Sequence, residues 1–379
     1  MIQDRLQPPE IAGGLGPIAV VEDALVVPPA KGLGNQSVQR SGVLRPDGSL
    51  VPESVTWRGS AQVTVRPPMP AGPVETLGGS WLFLGPLFGH FGHFLVESIA
   101  RLWALDRLRG AIEGALFVPK FQNRPEHVMA TYRPFLEALG LDVPVRNLEE
   151  PARVERLHVP PQGFGMFQMI EGSPEFRAYM RAHAGRGIAP QGHPKIYISR
   201  SALPVQRGSI LAETVLEEHL KAEGYVPFHP QKHGFADQIA AYKAATHVVG
   251  VDCSPFHLLA LVGHRGQNVG IIARRDGDLD RCFARQIHAF QGAEVAAINH
   301  LRRNWIEDHA HRPSRTSWGE VDFPALGATL RECGLIAGGD WPAIPDEAIR
   351  HQIDRIGAAQ GTRFKPWEGP PGTAPGDAD

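Results

Sequence analysis

The 379-residue chain contains only three cysteines, Cys253, Cys282 and Cys333, which are widely spaced and odd in number. They provide neither a disulfide framework nor a paired zinc-ligand set, so a reducing compartment is expected. The formal net charge is only −2, without the basic excess that a broad nucleic-acid surface needs, which argues against a nucleic-acid partner. The first ten residues hold no apolar segment, so the sequence predicts no secretory signal and a cytoplasmic protein.

Long apolar runs are also missing. The longest candidate, residues 81–103, is interrupted by Pro86, His90, His93, Glu97 and Arg101, well short of the ~18 apolar residues of a membrane span. No transmembrane segment is therefore expected, which leaves a peripheral association with a membrane open.

Several catalytic motifs are absent as well. GxGxxG, a P-loop and GxSxG do not occur, so dehydrogenase, P-loop NTPase and α/β-hydrolase interpretations lose their main support. The chain has 17 histidines, but neither HExxH nor a clustered Cys/His pattern follows from them, and Asp252 has no DxD partner. We therefore expect no bound metal.

A hydrophobic content of 42% and a charged content of 21% are typical of a globular protein, and the length allows two domains. Short β-like runs with Pro and Gly fill residues 1–75, including predicted strands at 24–27, 51–57 and 61–65 and a turn at 46–49. From about residue 76 strands alternate with helices, which favours a parallel sheet with crossover helices. The helix predicted over 91–108 is the longest of this part.

Residues 184–194 (AGRGIAPQGHP) form the best candidate linker. A second strand–helix alternation follows it, with strands predicted at 195–199, 225–228, 247–251 and 268–272. The resulting division is a β-rich N-terminal extension (1–75), an N-terminal α/β domain (76–185), a C-terminal α/β domain (186–300), a C-terminal helical segment (301–360) and a disordered tail (361–379).

The segment THVVGVDCSPFHLLAL (246–261) is the most informative part of the chain. A β-branched run ends at Gly250, and Ser254-Pro255 supplies a preferred N-cap followed by a preferred first helical residue. The N–H groups and dipole of such a helix N-terminus can bind an anion, and His257 in the first turn could add a donor. An ordinary strand–loop–helix junction is the alternative.

An arginine pair accompanies this junction. Arg200 follows the strand predicted at 195–199, and Arg207 follows after a short loop. The planar guanidinium donates two hydrogen bonds to phosphate oxygens, so two arginines beside a helix N-terminus suit a diphosphate. Solvated surface arginines are the alternative. Glu213, early in the next helix, either makes a favourable first-turn charge or holds a ribose or an arginine.

The helix predicted from Phe91 carries a polar stripe. His93, Glu97 and Arg101 follow i, i+4 spacing and would share one face. A stripe of His, Glu and Arg inside an apolar helix suits a general base or an acceptor-binding face. An internal ion pair between Glu97 and Arg101 is the alternative.

Together these blocks resemble glycosyltransferase family 61, the capsular-polysaccharide-type glycosyltransferases of bacteria. The resemblance rests on ordered motifs between about residues 80 and 265: Gly92-His93-Phe94-Leu95-Val96-Glu97, Arg101-Leu102-Trp103, Tyr197-Ile198-Ser199-Arg200, Arg207, Ala212-Glu213, Gln238, Ala244-Ala245, Val249-Gly250-Val251-Asp252-Cys253-Ser254 and His257. Cys253 stands where the family pattern has Gly, and Ala212 stands where it has Asn.

The resemblance implies a GT-B-like α/β architecture, with two Rossmann-like domains facing a cleft. It also implies an inverting, metal-independent transfer of a sugar from a nucleotide sugar, with a UDP-sugar as the first expectation, to a glycan or polysaccharide acceptor. No cofactor is expected. An inverting transfer needs a base for the acceptor hydroxyl and positive charge for the departing diphosphate.

The resemblance and the residue chemistry together give each candidate a role. Glu97 or His93 is the predicted base, with Glu97 slightly favoured, and Arg101 lies on the acceptor side. The predicted donor site consists of Arg200, Arg207, Glu213, Asp252, Ser254 and His257. Because Cys253 and Ala212 depart from the pattern, a catalytically inactive nucleotide- or glycan-binding module of a glycan-assembly complex is the alternative.

Overall fold

Apolar runs in the first half of the chain pair into a six-stranded sheet. Its strands, in spatial order, are β3 (Gly42–Leu44), β1 (Ala19–Val27), β10 (Ala152–Val159), β7 (Glu75–Leu87), β8 (Gly114–Pro119) and β9 (Val145–Asn147). The strands β10, β7, β8 and β9 are parallel, and β1 pairs antiparallel with both β10 and β3. This sheet belongs to one of two compact units, Met1–Ile188, and the second unit is Ala189–Asp379. The boundary falls inside the segment 184–194 predicted as a linker. The computed structural model describes residues 6–32, 38–367 and 369.

The strands of the first unit are β1 (Ala19–Val27), β2 (Gln39–Arg40), β3 (Gly42–Leu44), β4 (Trp57–Arg58), β5 (Ala61–Gln62), β6 (Thr64–Val65), β7 (Glu75–Leu87), β8 (Gly114–Pro119), β9 (Val145–Asn147) and β10 (Ala152–Val159). Its α-helices are α1 (Phe91–His93), α2 (Leu105–Leu108), α3 (Pro125–Ala138) and α4 (Pro174–His183). Single turns of 3-10 helix cover Pro52–Ser54, Leu102–Ala104 and Phe167–Met169.

The N-terminal residues are part of this sheet rather than an extension beside it. The register of β1 runs along β10 from Ala19↔Val159 to Val26↔Ala152, and β7 begins at Glu75. Buried side chains of β1, β7, β8 and β10 share one core cluster, so packing as well as hydrogen bonding holds β1 in the sheet. The predicted boundary at 75/76 is therefore wrong. The turn predicted at 46–49 forms as a loop closed by a hydrogen bond from the Arg45 amide to the Ser49 carbonyl.

Two local predictions in this unit are also wrong in part. Residues 51–57 do not form one strand, because Pro52 lacks an N–H and begins a 3-10 turn, Pro52–Ser54. The helix predicted over 91–108 is interrupted: α1 passes into a π-helical turn, Phe94–Ser98, and then into the 3-10 turn Leu102–Ala104. A π-turn adds a residue to the helical repeat, so side chains on either side of it no longer share the face that i, i+4 spacing predicts.

A five-stranded parallel sheet of order β12-β11-β13-β14-β15 organises the second unit. Its strands are β11 (Lys195–Ile198), β12 (Val226–Phe228), β13 (His247–Val251), β14 (Asn268–Ile272) and β15 (Glu294–Ile298), and the helices that follow the first four are α5 (Glu213–Ala222), α6 (Phe235–Ala244), α7 (Pro255–Val262) and α8 (Leu279–Gln291). Single 3-10 turns cover Val205–Arg207 and Pro230–Lys232.

This strand order is that of a doubly wound fold. The chain leaves β11 toward β12 on one side and reaches β13 on the other, so the order reverses between β11 and β13. Ligands of such sheets bind outside the carboxyl ends of the strands at this switch point. The loops after β11 and β13 are those that carry Arg200 and the segment Asp252-Cys253-Ser254.

The C-terminal region combines strands with helices. An antiparallel sheet of order β17-β16-β18 contains β16 (Leu301–Glu307), β17 (Trp318–Val321) and β18 (Phe364–Trp367), accompanied by α9 (Phe323–Glu332) and α10 (Asp346–Gln360). The prediction of a helical segment over 301–360 is therefore wrong in part: α9 and α10 are helical, but residues 301–307 and 318–321 form the paired strands β16 and β17. Of the predicted disordered tail, residues 364–367 form β18, and residues 368 and 370–379 lie outside the described residues. Within the described part of the chain, no helix is long and apolar enough to span a bilayer.

Candidate active-site residues

In the first unit, a histidine–carboxylate pair lies beside the ends of two parallel strands. Leu87 of β7 and Pro119 of β8 are in register, so Phe88 and Lys120, which follow them, lie at the same edge of the sheet. The Phe88 amide donates to Ser98 Oγ over 2.9 Å, which fixes the π-turn against this edge. Irregular π-turns often occur at functional sites because they redirect side chains that a regular helix would hold elsewhere.

Glu97 is the centre of this cluster. Its side chain is 0% exposed, and its carboxylate accepts from Arg58 Nε at 2.7 Å and from Arg58 Nη2 at 2.9 Å. His93 Nδ1 lies 2.9 Å from Glu97 Oε2, and the His93 side chain is 35% exposed. Burial would raise the pKa of Glu97, but the hydrogen bonds from His93 and Arg58 outweigh it, so the pKa is lowered and the carboxylate is ionised.

These contacts give His93 and Glu97 different chemical roles. We assign the Nδ1 proton of His93 to the bond with Glu97, because the charged carboxylate is a strong acceptor at 2.9 Å, whereas the donor Arg58 Nη2 lies farther from Nδ1, at 3.3 Å. The other ring nitrogen, Nε2, is then an acceptor on a partly exposed ring. Glu97, in contrast, has both oxygens engaged and a lowered pKa, which suits orienting the imidazole better than removing a proton.

Further cations and rings surround this pair. Arg58 Cζ lies 6.0 Å and Lys120 Nζ 5.8 Å from the Phe88 ring centroid, and the rings of His90 and His93 are 5.1 Å apart. Burial and the nearby charge of Arg58 lower the pKa of Lys120 to about 8, against the attraction of Glu97. The edge of the sheet is therefore cationic around a single carboxylate.

Arg101 does not belong to this cluster. It is fully buried, and its guanidinium donates to the carbonyls of Glu53 and Val55 at 2.8 Å and of Pro160 at 3.0 Å. The structure therefore contradicts both the acceptor-side role and the alternative ion pair with Glu97. The physical reason is the π-turn, which rotates residue 101 away from the face of His93 and Glu97.

In the second unit, the loop after β11 fixes Arg200. The backbone amide of Arg200 donates to Glu213 Oε1 at 2.7 Å, and its guanidinium donates to the carbonyls of Arg207 and Gly208. Glu213 is buried and also accepts from the hydroxyls of Tyr197 and Ser209. Burial raises the pKa of Glu213. Glu213 thus holds the Arg200 loop from a buried position and does not present an exposed carboxylate to a ribose.

The backbone carbonyl of Arg207 accepts a hydrogen bond from the Arg200 guanidinium, and the donor-site role of its side chain stays a prediction. The Arg207 side chain is exposed and makes no hydrogen bond or ion pair with any of the described residues. Ala212, which stands where the family pattern has Asn, has a φ of 57° in the left-handed region. Asn adopts that region several-fold more often than most residues, which gives a conformational reason for Asn there.

Asp252 holds an arginine that the sequence interpretation missed. Its carboxylate accepts from the backbone amide of Arg274 at 2.9 Å and lies 3.1 Å from Arg274 Nε, and both side chains are buried. Burial lowers the pKa of Arg274 to about 10, so the guanidinium stays charged at neutral pH. Its Nη1 is buried without a hydrogen-bond partner.

The carboxyl edge of the second sheet therefore carries three arginines. Arg200 follows β11, while Arg274 and Arg275 follow β14, and the charges of Arg200 and Arg275 act on Arg274. Burial, together with the charge of Arg200, lowers the pKa of the partly exposed Arg275. The charge of Asp252 acts on Arg274 and Arg275, and that of Glu213 acts on Arg200. Three guanidinium groups at one edge suit an anion with several oxygens, such as a diphosphate.

The helix N-terminus itself is less available than predicted. Ser254 occupies the predicted N-cap position before Pro255, but it is helical in conformation (φ −54°, ψ −31°) and its side chain makes no capping hydrogen bond. The amides of Phe256 and His257 donate to the carbonyls of Cys253 and Ser254, so they are already engaged. His257 is buried, with Nδ1 2.6 Å from Gln286 Oε1.

Three arginines of these sites are missing from the sequence prediction, and a local sequence signal exists for only some of them. Arg274 and Arg275 directly follow the strand at 268–272, so the strand-end argument applied to Arg200 would have found them. Arg58 carries no such signal, because it lies on the two-residue strand β4, far from His93 in sequence. Within the described residues no three His, Cys, Asp or Glu side chains form a metal-ligand set, and metal independence stays a prediction.

Comparison with known proteins supplies one finding. Residues 91–265, a little under half of the chain, match the model of the family described as Glycosyltransferase 61. This range contains His93, Glu97 and Arg200, and it ends before Arg274. A search of curated proteins returned no match for the chain. This part of the chain is therefore similar to glycosyltransferase family 61.

Proposed function

We propose that the chain transfers a sugar from a nucleotide sugar to a hydroxyl of a glycan acceptor, with inversion and without a metal. The observation that carries this proposal is the group of three arginines at the carboxyl edge of the doubly wound sheet. The departing nucleoside diphosphate carries several negative charges, and guanidinium groups fixed before the reaction stabilise that charge without reorganisation. A GT-B architecture and a UDP-sugar donor are part of the proposal.

Each arginine has its own part. Arg275 is partly exposed and offers its guanidinium to the diphosphate. Arg274 is buried, is held by Asp252 and has Nη1 without a partner, so it adds positive charge and one donor from below the surface. The backbone of Arg200 is fixed by Glu213, and this fixes the loop that presents its side chain.

The first unit supplies the base. His93 Nε2 removes the proton of the acceptor hydroxyl as that oxygen attacks the anomeric carbon of the donor and the bond from that carbon to the diphosphate oxygen breaks. Glu97 holds the ring through Nδ1 and stabilises the imidazolium that forms. Arg58 keeps Glu97 ionised and oriented. The proposal therefore assigns the base to His93 and the orienting carboxylate to Glu97.

The donor site is tested first by thermal unfolding with UDP, GDP, CMP or ADP, in the presence of Mg²⁺ or of EDTA. A ligand at 100 times its Kd stabilises the protein by about 2.7 kcal/mol. We expect one nucleotide to raise Tm equally under both conditions, and Arg275→Ala to abolish the rise. Arg350→Ala, on the exposed face of α10, is the matched control. A rise that requires Mg²⁺ would contradict metal independence.

The base is tested by initial rates of nucleotide release from the donor that stabilises the protein. Slow release without an acceptor identifies an enzyme and separates it from an inactive binding module. His93→Ala should lower kcat by about 10²–10⁴ and leave the nucleotide Kd unchanged, whereas His127→Ala on the exposed side of α3 should behave as wild type. A wild-type kcat in His93→Ala would refute the assignment.

A further inference from the structure

An aromatic residue with a strained backbone stands on the surface of the first unit. Phe167 has a φ of 58°, in the left-handed region, and is 49% exposed. A bulky residue with positive φ is an outlier, and such strain persists where the surrounding structure imposes it, commonly at ligand-binding positions. The next residue, Gln168, is also exposed.

The loop that carries Phe167 is joined to strand β4 by hydrogen bonds of Gln162. Gln162 is buried, and its Oε1 accepts from the Trp57 amide at 2.7 Å. Its Nε2 donates to the Trp57 carbonyl at 3.0 Å and to the Phe164 carbonyl at 2.8 Å. One amide side chain therefore joins the loop to Trp57, the residue that precedes Arg58.

The side chains at the tip of the loop lie against the turn that follows Arg58. Gly59 has a φ of 60°, and a Cβ built on it would lie 3.0 Å from Phe167 Cδ2 and 2.9 Å from Gln168 Oε1. Arg58, directly before this glycine, binds Glu97, which in turn holds His93. The exposed ring and the amide are thus attached to the structure that positions the base.

We propose that Phe167 and Gln168 form a platform for a pyranose ring of the acceptor. The phenyl ring packs on the C–H face of the sugar, and the amide of Gln168 exchanges hydrogen bonds with its hydroxyls. This inference rests on the proposed function, since it places the acceptor beside His93. Gln168, which follows Phe167, is polar, and Arg58, which precedes Gly59 in sequence, is charged. These residues suit a polyhydroxylated ligand better than a lipid chain.

A glycan array probed with wild type and three variants tests the platform. Phe167→Gly removes the ring and also relieves the strained φ, so its Tm should stay close to that of wild type. We expect it to weaken binding of the glycans that wild type binds by about 10-fold, as the loss of an aromatic contact predicts. Phe167→Tyr should keep that binding. Met69→Ala, at 50% exposure in the same unit, is the matched control.

Three outcomes would overturn the platform: no glycan bound by wild type, wild-type binding in Phe167→Gly, or an equal loss in Met69→Ala. Binding to vesicles of anionic phospholipid that depends on Phe167, in place of glycan binding, would also refute it and indicate a membrane contact. The proposed function fails by a different readout, the absence of any nucleotide-induced rise in Tm and of donor turnover, which Phe167 does not affect.

Discussion

Replacing Arg101 separates a structural role from the acceptor role that the sequence predicted. Arg101→Met keeps most of the aliphatic stem and removes the guanidinium. The guanidinium donates to three backbone carbonyls, two at 2.8 Å and one at 3.0 Å, and reaches Thr56 Oγ1 at 3.4 Å. It thereby connects the broken helix to the segment before β4 and to the residues after β10.

The expected loss of stability follows from these contacts. Each buried carbonyl left without its donor costs about 1–3 kcal/mol. Burial lowers the pKa of Arg101 to about 9, so the group is charged at neutral pH and its removal recovers part of the desolvation cost. We expect the free energy of unfolding to fall by roughly 2–5 kcal/mol. For a unit of this size, Tm should fall by roughly 4–20 °C.

Urea unfolding followed by tryptophan fluorescence measures this loss, with Trp103 beside Arg101 in sequence as one reporter. Arg107→Met is the matched control, because Arg107 is exposed and its contact with the Trp103 ring is worth at most about 1 kcal/mol. The reasoning is refuted if Arg101→Met unfolds like wild type and instead raises the KM of the acceptor, since that result would restore the acceptor role.

Three further predictions concern single positions. Gly85 has a φ of 93°, and a Cβ there would lie 2.6 Å from Arg101 Nη1, so Gly85→Ala should lower the free energy of unfolding by roughly 2–5 kcal/mol in urea titrations; wild-type stability would show that the site can relax. The pKa of Glu97 is lowered from its ordinary 4.5, so its ion pair with Arg58 stabilises the fold above that pH and the contribution is lost as pH falls through the folded-state pKa. Unfolding of Glu97→Gln should therefore depend less steeply on pH in the acid range than wild type, and parallel pH profiles would contradict this. Burial raises the pKa of Cys253 to about 12, so iodoacetamide should label it only after unfolding, as mass spectrometry of native and unfolded samples can show; rapid native labelling would contradict its burial.

The strands of the second unit were the most predictable part of the structure. The segments 247–251 and 268–272 form strands with the predicted bounds, since short β-branched runs between Gly- and Pro-containing loops leave little choice. The strand-end argument also placed Arg200 at the correct edge of the sheet. The same local patterns misplaced the N-terminal boundary, because the pairing of β1 with β10 joins residues more than a hundred positions apart.

The sequence by itself determined which groups can do chemistry: an imidazole, a carboxylate four residues later, and arginines after parallel strands. These follow from short-range spacing, which a helix or strand converts directly into position. Only the tertiary structure decided what each group does. It bound Glu97 to Arg58, turned Arg101 into the interior through a π-turn, and set Arg274 against Asp252. Such choices depend on burial and on partners from distant segments, because the free energy of a charged group is set by what surrounds it and not by its neighbours in sequence.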